Sequence, residues 1–163
     1  FKLKKYKEAI AAYDSLKVQK TKLASADLYT VGRAYYFDSQ SDTLDAARQT
    51  MQLQKADSSF QKLIESQPNM TVSYIWAART KVSLDPESEN GLAKPFYEKL
   101  IEKALPTPDK NKNDLIEAYS YLGYYHFIKG ERSVAKTNYE KVLALDPANE
   151  RAKVAIKELN TKR

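Results

Sequence analysis

The feature that most limits what this chain can fold into is a spaced set of small and aromatic residues in its last third. Tyr119, Leu122, Gly123 and His126 lie three, one and three positions apart, and Ala135, Tyr139 and Pro147 follow. Placed on two helices, the small Gly123 and Ala135 let the helices approach closely, while Tyr119, Leu122, Tyr139 and Val142 fill the seam between them. Gly130 supplies the turn, and Asp146-Pro147 ends the second helix because proline has no backbone N–H to continue the ladder.

The order large apolar residue, Leu-Gly, aromatic, Ala-x3-aromatic, Pro over about 34 residues closely resembles the tetratricopeptide repeat. Two less regular copies lie upstream. Leu28, Val31, Gly32 and Tyr35 open one, and Ala56, Phe60 and Pro68 close it, but Gly32 to Ala56 spans 24 residues where Gly123 to Ala135 spans 12. Leu44, Ala47, Met51, Ala56, Phe60 and Leu63 recur near helical spacing, so the extra residues are expected to form one long helix beginning near Ser41. The next copy runs from Tyr74, Ala77 and Ala78 through Ala93 and Tyr97 to Leu105-Pro106, with Lys81 where the pattern has an aromatic. Tyr6, Ala9, Ile10, Tyr13 and Leu16 match the second helix of a further unit. The expected organisation is one domain over residues 1–163: a half repeat at 1–20, repeats at 25–68, 70–106 and 114–147, and a capping helix at 149–161. A lone half unit leaves an apolar face uncovered, so the chain reads as a piece of a longer array.

The resemblance implies an all-α fold, an α-α superhelix of antiparallel hairpins. It also implies a non-enzymatic scaffold that holds a protein or peptide in its concave groove. Composition agrees with a folded helical chain: 42% of residues are hydrophobic and 29% charged, with 4 Gly and 6 Pro. No stretch approaches the roughly 18 apolar residues of a membrane helix, and residues 1–8 have no apolar core or small-residue cleavage site of a signal peptide. The absence of Cys removes disulfides and thiolate chemistry, and is compatible with either compartment, with a lean toward an exported or periplasmic protein. The net charge of +6 is spread over Lys and Arg at helical spacings, which reads as a solvated surface and not as a nucleic-acid surface.

Residues suited to catalysis are few. His126 is the single histidine and takes an aromatic slot, so it reads as a packed residue. The carboxylates sit three or four positions from Lys or Arg, as expected of surface pairs. No phosphate-binding glycine loop occurs, and the acidic turn at residues 85–91 lacks the alternating carboxylates and terminal Glu of a calcium loop. No cofactor and no metal are expected.

Twelve tyrosines stand out. Tyr13, Tyr35, Tyr74, Tyr97, Tyr119 and Tyr139 fall at core positions. Carried over by register from the family, the peptide-binding groove is expected to be lined by Tyr29, Arg33, Tyr36 and Phe37, then Ile75, Arg79 and Val82, then Ser120, Tyr124, Phe127 and Ile128. Tyr and Arg carry much of the binding energy in interfaces, whereas the alternative is that these side chains only pad the surface. Trp76 borders the same face. The carboxylate clamp of co-chaperone relatives is missing, since Tyr29, Ala26, Ile75, Val72 and Ser120 stand at its positions. The rival reading is a structural spacer, or a module that self-associates through its first helix.

Overall fold

The structure is a computed structural model that describes residues 2–18 and 23–161, with side chains described for 5–15 and 23–161. Phe1, residues 19–20 and the Leu16 side chain, all part of the expected half repeat, lie outside the described residues. Among those described there are eight helices and no strand. They are α1 (Lys2–Val18), α2 (Ser25–Ser39), α3 (Ala46–Ser66), α4 (Thr71–Leu84), α5 (Lys94–Ala104), α6 (Lys112–Ile128), α7 (Arg132–Leu145) and α8 (Glu150–Asn160). They group into two compact units, Phe1–Leu84 and Asp85–Arg163. The boundary falls inside the segment expected as the 70–106 repeat, so α4 belongs to the first unit and α5 to the second.

In the first unit α2 packs on α1 and α3, and α3 packs on α4. The close approach of α2 to α3 has a steric cause at Gly32. A Cβ there would lie 2.7 Å from the Phe60 ring, and Phe60 is 0% exposed. Around this contact Leu28, Val31, Tyr35, Ala56 and Leu63 complete the core. The expected helix start near Ser41 is corrected: α3 begins at Ala46, where the Asp45 carboxylate accepts the Arg48 N–H at 2.8 Å. Upstream of that cap the Ser41 and Thr43 hydroxyls bond each other at 2.8 Å, an arrangement that competes with helix. Relative to the α6/α7 hairpin, the insertion is shared between three places. α3 has ten residues ahead of Ala56 where α7 has three ahead of Ala135, α2 runs seven past Gly32 where α6 runs five past Gly123, and the turn has six residues instead of three.

The second unit repeats the device. A Cβ on Gly123 would lie 2.8 Å from the Tyr139 ring, which fixes how α7 crosses α6. Ala104, Leu115, Tyr119, Val142 and Ala152 form its core, with Ile101, Ile116 and Leu143 packed against them. Gly130 turns the chain between α6 and α7 with φ +76°, in the left-handed region that only glycine adopts freely. α8 is capped at one end by Asn149, whose side-chain oxygen accepts the Ala152 N–H. Its other end is held by Arg132, whose Nη2 donates to the carbonyls of Glu158, Leu159 and Thr161.

Ahead of α5 the loop 85–93 wraps a single carboxylate. Asp85 accepts the backbone N–H groups of Asn90 and Leu92 and the Asn90 side-chain amide. Burial is the strongest influence and opposes ionisation, but the donors from Asn90, Leu92 and Gly91 together outweigh it and hold this carboxyl below its ordinary range. Its oxygens are thus engaged by N–H donors and not arranged for a cation.

Candidate functional site

In the first unit the expected groove residues of α2 and α4 converge on Trp76. Tyr36 and Phe37 meet the indole edge-on at 5.4 and 5.6 Å, and Phe60 stacks beneath it at 6.1 Å. The guanidinium groups of Arg33 and Arg79, one from each helix, both lie 4.9 Å from the indole centroid. Such cation–π contacts hold a guanidinium in place against the ring face. Tyr29 sits one turn before Arg33 and its hydroxyl accepts from Arg33 Nη1 at 3.2 Å. Tyr6 of α1 stacks on Phe37 at 4.9 Å.

Sequence register therefore brings Tyr29, Arg33, Tyr36, Phe37 and Arg79 together, with Trp76 at the centre and only 8% exposed. Val82 lies half-buried at the end of α4. One expected groove residue is corrected: Ile75 is 2% exposed, packed inward, and offers no surface to a partner. The cause is that α4 is buried along nearly its whole middle, from Ser73 to Ala78, so adjacent positions that differ in register are both enclosed.

The second unit presents an open cleft of about 700 Å³. Ile116, Ser120 and Tyr124 of α6 line one side at i, i+4 and i+8 spacing with Glu117 beside them, Tyr139 of α7 adjoins them, and Asn149, Arg151 and Ala152 close the cleft from the cap and first turn of α8. Burial raises the Tyr139 hydroxyl pKa, with Tyr124 and Glu158 adding to it, so this group is a neutral donor or acceptor at the cleft. Tyr124 is 41% exposed and Phe127 and Ile128 are each 38% exposed, leaving an aromatic and aliphatic row open on the C-terminal half of α6.

Glu117, Asn149 and Arg151 were not among the expected groove residues. Their signal was weak because polar residues near helix starts are ordinary, and only the packing of α8 on α7 brings the start of α8 to the same cleft as Glu117. Tyr121 and Tyr125 also lacked an assigned role. They continue a ring series from Tyr97, at 4.7 and 6.4 Å, and Tyr125 covers Gly91 at the base of the Asp85 loop. His126 is largely enclosed, its side chain 14% exposed, as a packed residue in that slot would be. Its Nδ1 bonds the Glu131 carboxylate across the α6–α7 turn, and its ring meets Tyr125 edge-on.

Among the described residues no group of three or more His, Asp or Glu is placed to hold a metal ion. Among the described residues no helix is long and apolar enough to cross a membrane.

The tetratricopeptide repeat model matches residues 116–149, the α6/α7 hairpin and its flanking turn. The crystal structure of the C-terminal part of a TPR repeat-containing protein from Cytophaga hutchinsonii superposes with a TM-score of 0.73 at 38% sequence identity. That match covers 84% of this chain and 48% of the other, so this chain spans about half the length of its structural relative. No curated protein matches. Residues 116–149 thus carry a tetratricopeptide repeat, and the all-helical fold is that of a TPR repeat structure, of the α-α superhelix class. Tetratricopeptide repeats are protein-interaction modules as a rule, and the fold is ordinarily a non-catalytic scaffold.

Proposed function

We propose that this protein is a non-enzymatic scaffold that binds a peptide or protein partner through the groove surface of its first-in-pair helices. The single observation that carries this reading is the α6 row: Ser120 and Tyr124 face an open cleft of about 700 Å³, and Tyr124, Phe127 and Ile128 are exposed beside it. Exposed aromatics clustered at a concavity with a few polar groups around them are the usual make-up of an interaction hot spot. The Tyr29, Arg33, Tyr36, Phe37 and Arg79 cluster, with Val82 at its edge, supplies a second patch of the same chemistry. In the same reading the chain comprises a half repeat, repeats at 25–68, 70–106 and 114–147, and a capping helix.

The test is selection of a displayed heptapeptide library on the intact chain, followed by affinity measurement on the selected sequences. Tyr124→Ala combined with Phe127→Ala is expected to weaken binding about ten-fold or more, as loss of two interface aromatics does, with unchanged helical circular dichroism. Equal binding by this variant and the parent chain would remove the groove from consideration.

A further inference from the structure

Arg33 combines three properties seldom found together. Its guanidinium is held against aromatic rings, 4.9 Å from Trp76, 5.2 Å from Tyr29 and 5.6 Å from Phe37. Its Nε–H is shielded from solvent and has no acceptor. No carboxylate among the described residues pairs with it; its one hydrogen bond goes to the neutral Tyr29 hydroxyl. A partly desolvated cation without a counter-charge is costly, and a protein that keeps one ordinarily uses it.

The surroundings of Arg33 indicate what it is for. It lines a cleft of about 230 Å³ between α1 and α2 whose other walls are Lys5, Tyr6, Ala9, Thr30 and Ala34. Two cations and no acidic residue face this cleft. Its volume falls below the roughly 300–1,000 Å³ of small-molecule sites, which suits one side-chain-sized group and not a whole metabolite. A guanidinium fork matches a planar carboxylate, and charge-assisted bonds of this kind exceed neutral ones about two-fold in strength. The flanking walls are aromatic and aliphatic, which suits the neighbouring residues of a peptide.

We propose that the α1–α2 cleft receives the carboxylate of an internal Asp or Glu side chain of a bound peptide, with Arg33 as its main partner and Lys5 as a second cation. This rests on the peptide-binding reading above and sharpens it from peptides in general to acidic ones. The site is distinct from the main cleft of the second unit and uses different helices.

The test measures binding of three matched heptapeptide sets to the intact chain, with a central Glu, Gln or phosphoserine flanked by apolar and aromatic residues. Binding is followed by peptide anisotropy and by emission of Trp76, the single tryptophan. Glu peptides are expected to bind about ten-fold more tightly than their Gln counterparts. Arg33→Gln is expected to bring the two sets within about two-fold of each other without loss of the Gln peptides, and Arg33→Lys to keep part of the preference. Should Arg33→Gln lose helical structure, Lys5→Gln on the exposed side of α1 serves instead, with the preference reduced about two- to three-fold; an unchanged preference there overturns the proposal. Equal binding of Glu and Gln peptides by the parent chain overturns the carboxylate site and leaves the groove reading standing. Preference for phosphoserine over Glu overturns it in favour of a phosphopeptide ligand, and failure of every set to bind overturns both readings.

Discussion

Gly32 and Gly123 occupy equivalent places, yet the residues they admit differ in freedom. Phe60 is fully buried, whereas Tyr139 is half-buried and lines an open cleft, and the atoms that a Gly123 Cβ would meet are the far end of its ring. Gly32→Ala is therefore expected to lower stability by about 1–3 kcal/mol through overpacking, even after alanine's helix advantage of about 1 kcal/mol. Gly123→Ala is expected to be close to neutral. Denaturant unfolding of both variants checks this, and Phe60→Leu in the Gly32→Ala background recovers part of the loss. Asp85 carries a second prediction at this scale. Its folded pKa is depressed, so the stability it contributes is fully present above the ordinary carboxyl value of about 3.9 and drains away as pH falls through the lower, folded value. Asp85→Asn is expected to cost about 1–2 kcal/mol at pH 7, and its urea midpoint should converge with that of the parent chain as the pH is taken below 3.9.

Two helices owe their limits to single side chains. The Asp45 carboxylate caps α3 and sets its start five residues after the position that apolar periodicity alone suggests, since a side-chain cap decides where free N–H groups are satisfied. Asp45→Ala is expected to cost about 1 kcal/mol and to speed amide exchange in the first turn of α3. At the far end of α8 the Arg132 guanidinium gathers three carbonyls, and cations there also oppose the negative end of the helix dipole. Arg132→Gln is expected to destabilise by about 1–2 kcal/mol, with amide exchange protection lost first from the last turn of α8. That arginine stands at the start of α7, 26 residues from its first partner, so no local pattern connects the two.

For the chain as a whole, the net charge of +6 bears on the partner more than on the fold. Association with an acidic peptide is expected to slow several-fold between about 50 and 500 mM salt, as steering is screened, while a matched neutral peptide changes little; stopped-flow mixing measures both. Much of the architecture was legible beforehand because helix packing has local rules. A small residue must stand where two helices cross, an aromatic must fill the space opposite, and a proline must follow the second helix, so Gly32 with Phe60 and Gly123 with Tyr139 announce their hairpins in the order of residues alone. Register on a single helix also placed Tyr29, Arg33, Tyr36 and Phe37 on one face of α2, where the structure clusters them. What the residue order could not decide were matters set by distant neighbours. The enclosure of Ile75, the convergence of Arg33 and Arg79 on one indole, and the cleft that Arg151 closes beside Tyr124 each depend on how separate helices dock. Burial and charge compensation are properties of what lies across the gap, and the chain's own periodicity specifies only which face looks into it.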